Sequence, residues 1–134
     1  MTNVDYNVII IDDETSVTEI FQQYILWKYK DWRFMTFNNS QIAHDAIVNG
    51  RITAEVWIID MMMPNKNGAE IAEAVREHQG INPVLLAYTA LERRTLNTQE
   101  AYRGGMKHFN HVINKREDFT SILSLIEVWI NQLI

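Results

Sequence analysis

Asp12 and Asp13 close the apolar run from Val8 to Ile11, and Asp60 closes the run from Val56 to Ile59. Thr89 ends Val84 to Tyr88, and Lys115 follows Val112-Ile113-Asn114. Aspartate is a poor strand residue and is costly to bury unpaired, so acids repeated at strand ends mark a site. Two or three carboxylates a few ångströms apart repel strongly unless something positive joins them. Mg²⁺ meets that need, because it takes oxygen ligands, keeps several waters and seeks phosphate oxygens. Asp12 and Asp13 would hold it from the first strand, with Asp60 as a third ligand. A carboxylate can also act as a nucleophile and form an acyl phosphate. Asp60 suits that role, because the loop from Met61 to Asn67 leaves it accessible. Lys115 is expected to pair with Asp60 at rest and with a phosphoryl oxygen afterwards, while the Thr89 hydroxyl serves a second oxygen. Charge stabilisation of this kind is most of what phosphoryl transfer needs.

These groups meet only if the strands lie side by side and parallel. Short β-branched, apolar runs near 7–12, 33–37, 55–60, 83–89 and 109–114 alternate with stretches of helical spacing. The first helix is expected from Ser16, where Ser16-x-x-Glu19 reads as a capping box, with Val17, Ile20, Phe21, Tyr24 and Ile25 buried. A second spans about Ser40 to Val48 and stops at Asn49-Gly50. The third follows Gly68, with Ala69, Ile71, Ala72 and Val75 inward, and ends before Gly80. The fourth runs from Leu91 to about Arg103, and the fifth from about Asp118 to Leu133. The pattern predicts a (βα)₅ α/β domain: a five-stranded parallel sheet, doubly wound, with helices on both faces. The nearly all-apolar strands agree with burial on both sides. In such sheets ligands sit beyond the carboxyl ends of the strands, where all the singled-out residues lie.

The chain of 134 residues fits one domain, taken as 1–134, with 47% hydrophobic and 22% charged residues, as in ordinary soluble domains. A net charge of −5 without a Lys/Arg cluster argues against nucleic acid as a partner. The absence of cysteine excludes disulfides, thiolate catalysis and zinc–thiolate sites. No apolar run approaches the ~20 residues of a membrane span, and no signal peptide is indicated, so a cytoplasmic protein without membrane contact is expected.

Several segments carry a family resemblance over essentially the whole length. They are Ile11-Asp12-Asp13-Glu14, Asp60-Met61-Met62-Met63-Pro64-Asn65-Lys66-Asn67-Gly68, Tyr88-Thr89-Ala90, Gly104-Gly105 and the late Lys115. The chain resembles a response regulator receiver domain. That resemblance implies a flavodoxin-like fold, Mg²⁺ dependence, and phosphorylation of Asp60 from the phosphohistidine of a histidine kinase or histidine phosphotransfer protein. It implies Asp13 as direct metal ligand, Asp12 acting largely through water, and the Met62 backbone carbonyl as a further ligand. It also implies that Thr89 reports phosphorylation to the surface around the fourth helix and fifth strand.

Three departures shape further expectations. Arg116 follows Lys115 where the family usually has a proline after a cis peptide, and a cis bond before a non-proline costs ~2.5–4 kcal/mol. Either the loop is trans and differently shaped, or surrounding contacts hold the strain. Val112 stands where a switch tyrosine or phenylalanine is usual, with Phe109 the nearest aromatic. The stretch from Gly105 to Lys115 is longer than usual, so a bulge or wider loop is expected. Met62 and Leu91 flank the path of an attacking water in this family; both are apolar, which predicts slow self-dephosphorylation.

Other features have plainer readings. The Met61-Met62-Met63 run packs core and loop rather than supplying sulfur ligands. His108 and His111, three apart in a strand, point to opposite faces and do not form a metal pair. His44 and His78 read as surface helix residues. The last helix buries Phe119, Ile122, Leu123, Ile126, Ile130 and Leu133, and Leu125, Val128, Trp129 and Ile134 add apolar surface that suits a homodimer or partner.

The expected function is a free-standing phosphoacceptor module that changes affinity for an unknown output protein, not an enzyme acting on a separate substrate. The alternatives are a degenerate receiver that binds partners without phosphorylation, or a receiver cut from a hybrid kinase or transcription regulator. A haloacid-dehalogenase-type phosphatase would need a second acid where Met62 stands, and a flavodoxin would need a phosphate-cradling loop where Asp12-Asp13-Glu14 stands.

Overall fold

The computed structural model describes residues 4–131. Five strands, β1 (Val4–Ile11), β2 (Phe34–Phe37), β3 (Ile52–Ile59), β4 (Val84–Thr89) and β5 (His111–Asn114), form one sheet in the order β2-β1-β3-β4-β5. Every neighbouring pair is parallel. Six helices connect and cover them: α1 (Thr15–Lys28), α2 (Ser40–Val48), α3 (Gly68–Gln79), α4 (Arg93–Thr98), α5 (Glu100–Arg103) and α6 (Phe119–Asn131). A 3₁₀ turn at Met106–His108 precedes β5. This is the expected doubly wound α/β architecture.

Alternation along the strands divides the core in two. Ile9, Ile11, Trp57, Ile59 and Leu85 face α2 and α3, packing on Ala43, Ile47, Ile71, Ala72 and Val75. Val8, Ile10, Val56, Ile58, Leu86 and Tyr88 face α1 and α6, packing on Phe21, Ile25, Ile122, Ile126 and Ile130. A smaller cluster of Met61, Ala69, Ala87 and Leu96 lies beneath α4.

Several local expectations are corrected. The first helix starts at Thr15 with Glu14 as N-cap, and the Ser16–Glu19 capping box does not form. The reason is the tight turn before it, where the Asp12 carboxylate already accepts the Glu14 N–H at 2.9 Å. Ile20, assigned to the buried stripe, is 46% exposed, and Thr18 is buried instead. The fourth helix is two short helices, broken at Gln99, whose backbone is extended at φ −77°, ψ 132°. Its weak apolar periodicity gives no continuous buried stripe to enforce regularity; only Leu96 is buried in α4 and none in α5.

A 3₁₀ turn, where a bulge or wider loop was expected, precedes β5, and the strand starts at His111 rather than 109. His108 lies on that turn, so the opposite-face argument for the His pair does not apply. The Lys115–Arg116 peptide is trans, as are all peptides among the described residues. On α6, Ile122, Ile126 and Ile130 are buried, and Leu125 and Trp129 are partly buried against the same core. Of the expected extra apolar surface, Val128 is exposed; Leu133 and Ile134 lie outside the described residues. No described helix is long and apolar enough to cross a membrane.

Candidate functional site

The chain order reverses at β1, with β2 on one side and β3, β4 and β5 on the other. Connections there leave the sheet in opposite directions and open a crevice beyond the carboxyl ends. Ile11 and Ile59 are paired in register, so Asp12 and Asp60 emerge at one level. The Asp60 N–H donates to the Ile11 carbonyl at 2.9 Å, which fixes that alignment. On the far side, the Lys115 N–H donates to the Thr89 carbonyl at 2.8 Å. Topology thus gathers residues more than a hundred positions apart.

One carboxylate oxygen from each of Asp12, Asp13 and Asp60 lies within 4.8 Å of the others. Asp12 and Asp60 are 1% and 4% exposed, whereas Asp13 faces solvent. Lys115 Nζ donates to Asp12 Oδ2 at 2.8 Å and stands 3.6 Å from Asp60 Oδ1. The expected Lys115–Asp60 pair is therefore the longer of two contacts, and the hydrogen bond belongs to Asp12. The Met62 N–H donates to Asp60 Oδ1 at 3.3 Å. Thr89 is fully buried, and its hydroxyl oxygen accepts the Leu91 N–H at 3.0 Å.

The electrostatics leave negative charge in excess. Burial first, and then the Asp12 charge, push the Asp60 carboxyl up to about 7, against the pull of Lys115. Burial also raises Asp12, although the Lys115 hydrogen bond opposes it. Burial would lower the Lys115 ammonium, but its hydrogen bond to Asp12 and the Asp60 and Asp12 charges outweigh that and raise it. One lysine does not neutralise two buried acids and an exposed third. Converging carboxylate oxygens of this kind suit a hard divalent cation, so the donor set fits Mg²⁺.

Two glycines permit close backbone approaches, one of them at the site itself. A Cβ on Gly68 would lie 2.6 Å from the Asp60 carbonyl oxygen, and one on Gly105 would lie 2.4 Å from the Ala69 Cβ. Gly68 opens α3 behind an Asn67–Glu70 capping box. Asn-x-x-Glu is a variant of the usual Ser/Thr-x-x-Glu box and is a weaker signal in the sequence. Two further residues touch the site without any sequence signal: Asn38, whose Nδ2 donates to the Asp12 carbonyl at 2.8 Å, and Ser40, whose hydroxyl contacts the loop after Asp60. Neither has a local spacing signal, because each partner is more than twenty residues away.

Val112 is paired with Ala87 in the sheet and half-buried, and Phe109 packs between two core clusters. Phe109 is thus a core residue. His108 and His111 lie outside the carboxylate cluster; the His111 ring is 6.3 Å from Trp129.

The family model described as "Response regulator receiver domain" matches residues 8–127. The chain belongs to this family. Its fold agrees with solved receivers of low sequence identity. The signal receiver domain of a DNA-binding response regulator from Colwellia psychrerythraea superimposes with a TM-score of 0.72 at 18% identity, over 95% of this chain and 99% of that one. A CheY-like receiver domain protein from Methanospirillum hungatei gives 0.72 at 14% identity, over 98% and 96%. The response regulator TrrA from Thermotoga maritima, solved in complex with Mg²⁺-BeF, gives 0.69 at 16% identity, over 91% and 96%. No curated protein sequence matches the chain. A receiver module of two-component signalling is therefore what this sequence folds into.

Proposed function

We propose that the chain is a working phosphoacceptor, with Asp60 as the nucleophile. The observation that carries this reading is the convergence of Asp12, Asp13 and Asp60 oxygens within 4.8 Å, with Lys115 between the two buried acids. Asp13, Asp60 and the Met62 carbonyl would hold Mg²⁺ directly, with Asp12 acting largely through water. Bound there, the cation supplies charge neutralisation to the carboxylates and to the phosphoryl oxygens. The BeF complex of the similar TrrA supports the same reading.

In the proposed step an Asp60 oxygen attacks phosphorus in line with the donor imidazole nitrogen. The P–N bond breaks as the O–P bond forms, and the histidine leaves with its electron pair and takes up a proton. Lys115 then shifts its contact toward a phosphoryl oxygen. The Thr89 hydroxyl, now engaged by the Leu91 N–H, turns to donate to another. That movement would alter the α4–β5 surface and the affinity for an output partner. The donor is a histidine kinase or a histidine phosphotransfer protein.

The test uses a small phosphoramidate donor, whose P–N bond resembles that of phosphohistidine. A single phosphoryl adduct should form with Mg²⁺, fail to form with EDTA, and be cleaved by hydroxylamine as an acyl phosphate. Absence of any adduct at saturating Mg²⁺ would overturn the proposal.

A further inference from the structure

The loop between Asp60 and α3 turns sharply at one residue. Asn65 has φ +70°, in the left-handed region that asparagine tolerates better than other non-glycine residues. The Ser40 hydroxyl spans this residue: it donates to the Pro64 carbonyl at 2.6 Å and accepts the Lys66 N–H at 3.0 Å. Ser40 is 2% exposed, so water does not readily replace it. It is also free of capping duty, because Asn39 caps α2 by accepting the Gln41 and Ile42 N–H groups. Helix α2 itself is fixed to the core through the fully buried Ala43 and Ile47.

The same β2–α2 connection braces the first acid segment. Asn38 Nδ2 donates to the Asp12 carbonyl at 2.8 Å and to Thr18 Oγ1 at 2.9 Å. Two chain segments that carry the site's acids are thus tied to one stretch, Asn38 to Ser40, on the opposite side of the sheet order from Lys115.

We propose that Ser40 is a positioning residue: its hydroxyl clamps Pro64 and Lys66 so that the segment from Asp60 through Met62 is held in one conformation before the cation arrives. The proposal rests on the phosphoacceptor reading given above. Groups that orient metal ligands without touching the ion typically change metal affinity by 10–100-fold when removed. Ser40 acts on the loop backbone, so the lower end of that range is expected.

Two measurements test it on the full chain, with Ser40→Ala, Ser40→Thr and Asn39→Ala as variants. In metal-free protein, the Lys66 amide should be protected from hydrogen exchange in the parent and lose that protection in Ser40→Ala. In Mg²⁺ titrations, Ser40→Ala should raise the dissociation constant on the order of tenfold, and Ser40→Thr should restore it. Asn39→Ala removes the α2 cap and lowers the melting temperature, yet should leave Mg²⁺ affinity near the parent value. If Ser40→Ala binds Mg²⁺ as the parent does, or Asn39→Ala weakens binding equally, the clamp is overturned while the phosphoacceptor reading stands. A parent that binds no Mg²⁺ overturns both.

Discussion

Lys115 Nζ hydrogen-bonds Asp12 Oδ2 at 2.8 Å and stands 3.6 Å from Asp60 Oδ1, so the site's lysine is held by the deepest acid rather than by the proposed nucleophile. Asp60 is then left burdened with a buried, partly compensated charge. That arrangement keeps a cation poised beside the proposed nucleophile without occupying it. Replacing Lys115 with Met should slow adduct formation at least tenfold, since a positioned cation is worth ~2–4 kcal/mol to a transition state of this kind. It should also lower stability by up to ~3 kcal/mol near pH 8, because Asp12 is left buried without its partner. Single-turnover phosphorylation and chemical denaturation read the two effects separately. A Lys115→Met protein phosphorylated at the parent rate would remove the lysine from the mechanism.

A second prediction follows from the Asp60 carboxyl, which burial and the Asp12 charge push up to about 7. Its unfolded value is near 3.9. Between those values the folded state binds more protons than the unfolded one, so stability falls as pH rises from about 4 through 7. The slope this group contributes is at most ~1.4 kcal/mol per pH unit. Binding of Mg²⁺ favours the ionised form and should oppose the fall. Melting temperatures measured in EDTA and in Mg²⁺ should therefore diverge as pH rises from 5 to 8. Asp60→Asn should melt higher than the parent in EDTA at pH 8, and Mg²⁺ should stabilise it less. Parallel curves for the parent in EDTA and Mg²⁺ would contradict this.

How far the sequence disclosed these features depends on the range of the interaction. Asp12, Asp60, Thr89 and Lys115 were legible because each is polar at the end of an apolar run, and a parallel sheet brings such ends together. The α3 stripe of Ala69, Ile71, Ala72 and Val75 was legible for the same local reason, and all four are buried. The start of α1 departs from the local pattern because the Asp12 carboxylate, not a helix residue, organises that turn. The break at Gln99 was hidden by a weak pattern; in the folded chain Asn67 Nδ2 donates to the Ala101 carbonyl at 3.1 Å just beyond it. The Lys115 preference for Asp12 over Asp60 depends on tenths of an ångström that spacing does not encode.

A third prediction concerns the far end of the domain, where α6 is fastened to α1. Glu127 accepts the Tyr29 hydroxyl at 2.8 Å and the Tyr24 hydroxyl at 3.2 Å, and it pairs with Lys28. Those hydrogen bonds, from Lys28 first and Tyr29 next, hold the Glu127 carboxyl below its usual range. Its stabilisation is present above the unfolded glutamate value and is lost as pH falls through the lower folded value. Glu127→Gln should lower the melting temperature at pH 7, and by progressively less as pH falls below the unfolded glutamate value. A thermal-melt difference that is unchanged with pH would show that the charge is not involved.

Lifetime of the acyl phosphate gives a fourth. Met62 is 58% exposed two residues after Asp60, and Leu91, two residues past the end of β4 at Thr89, is half-buried. Neither side chain can hydrogen-bond an attacking water, so hydrolysis should take minutes or longer rather than seconds. Met62→Glu offers an acceptor that can orient water, and should shorten the lifetime several-fold. A parent half-life of a few seconds, followed by loss of the phosphoryl mass, would contradict the argument.

The central claim is that Asp60 carries the phosphoryl group. Intact-mass measurement after incubation with a small phosphodonor and Mg²⁺, on the parent and on Asp60→Ala, tests it most directly. A single phosphoryl adduct on the parent and none on Asp60→Ala is the expected result. An adduct retained by Asp60→Ala would place the chemistry elsewhere, and no adduct on either protein would leave a receiver fold that binds its partners without phosphorylation.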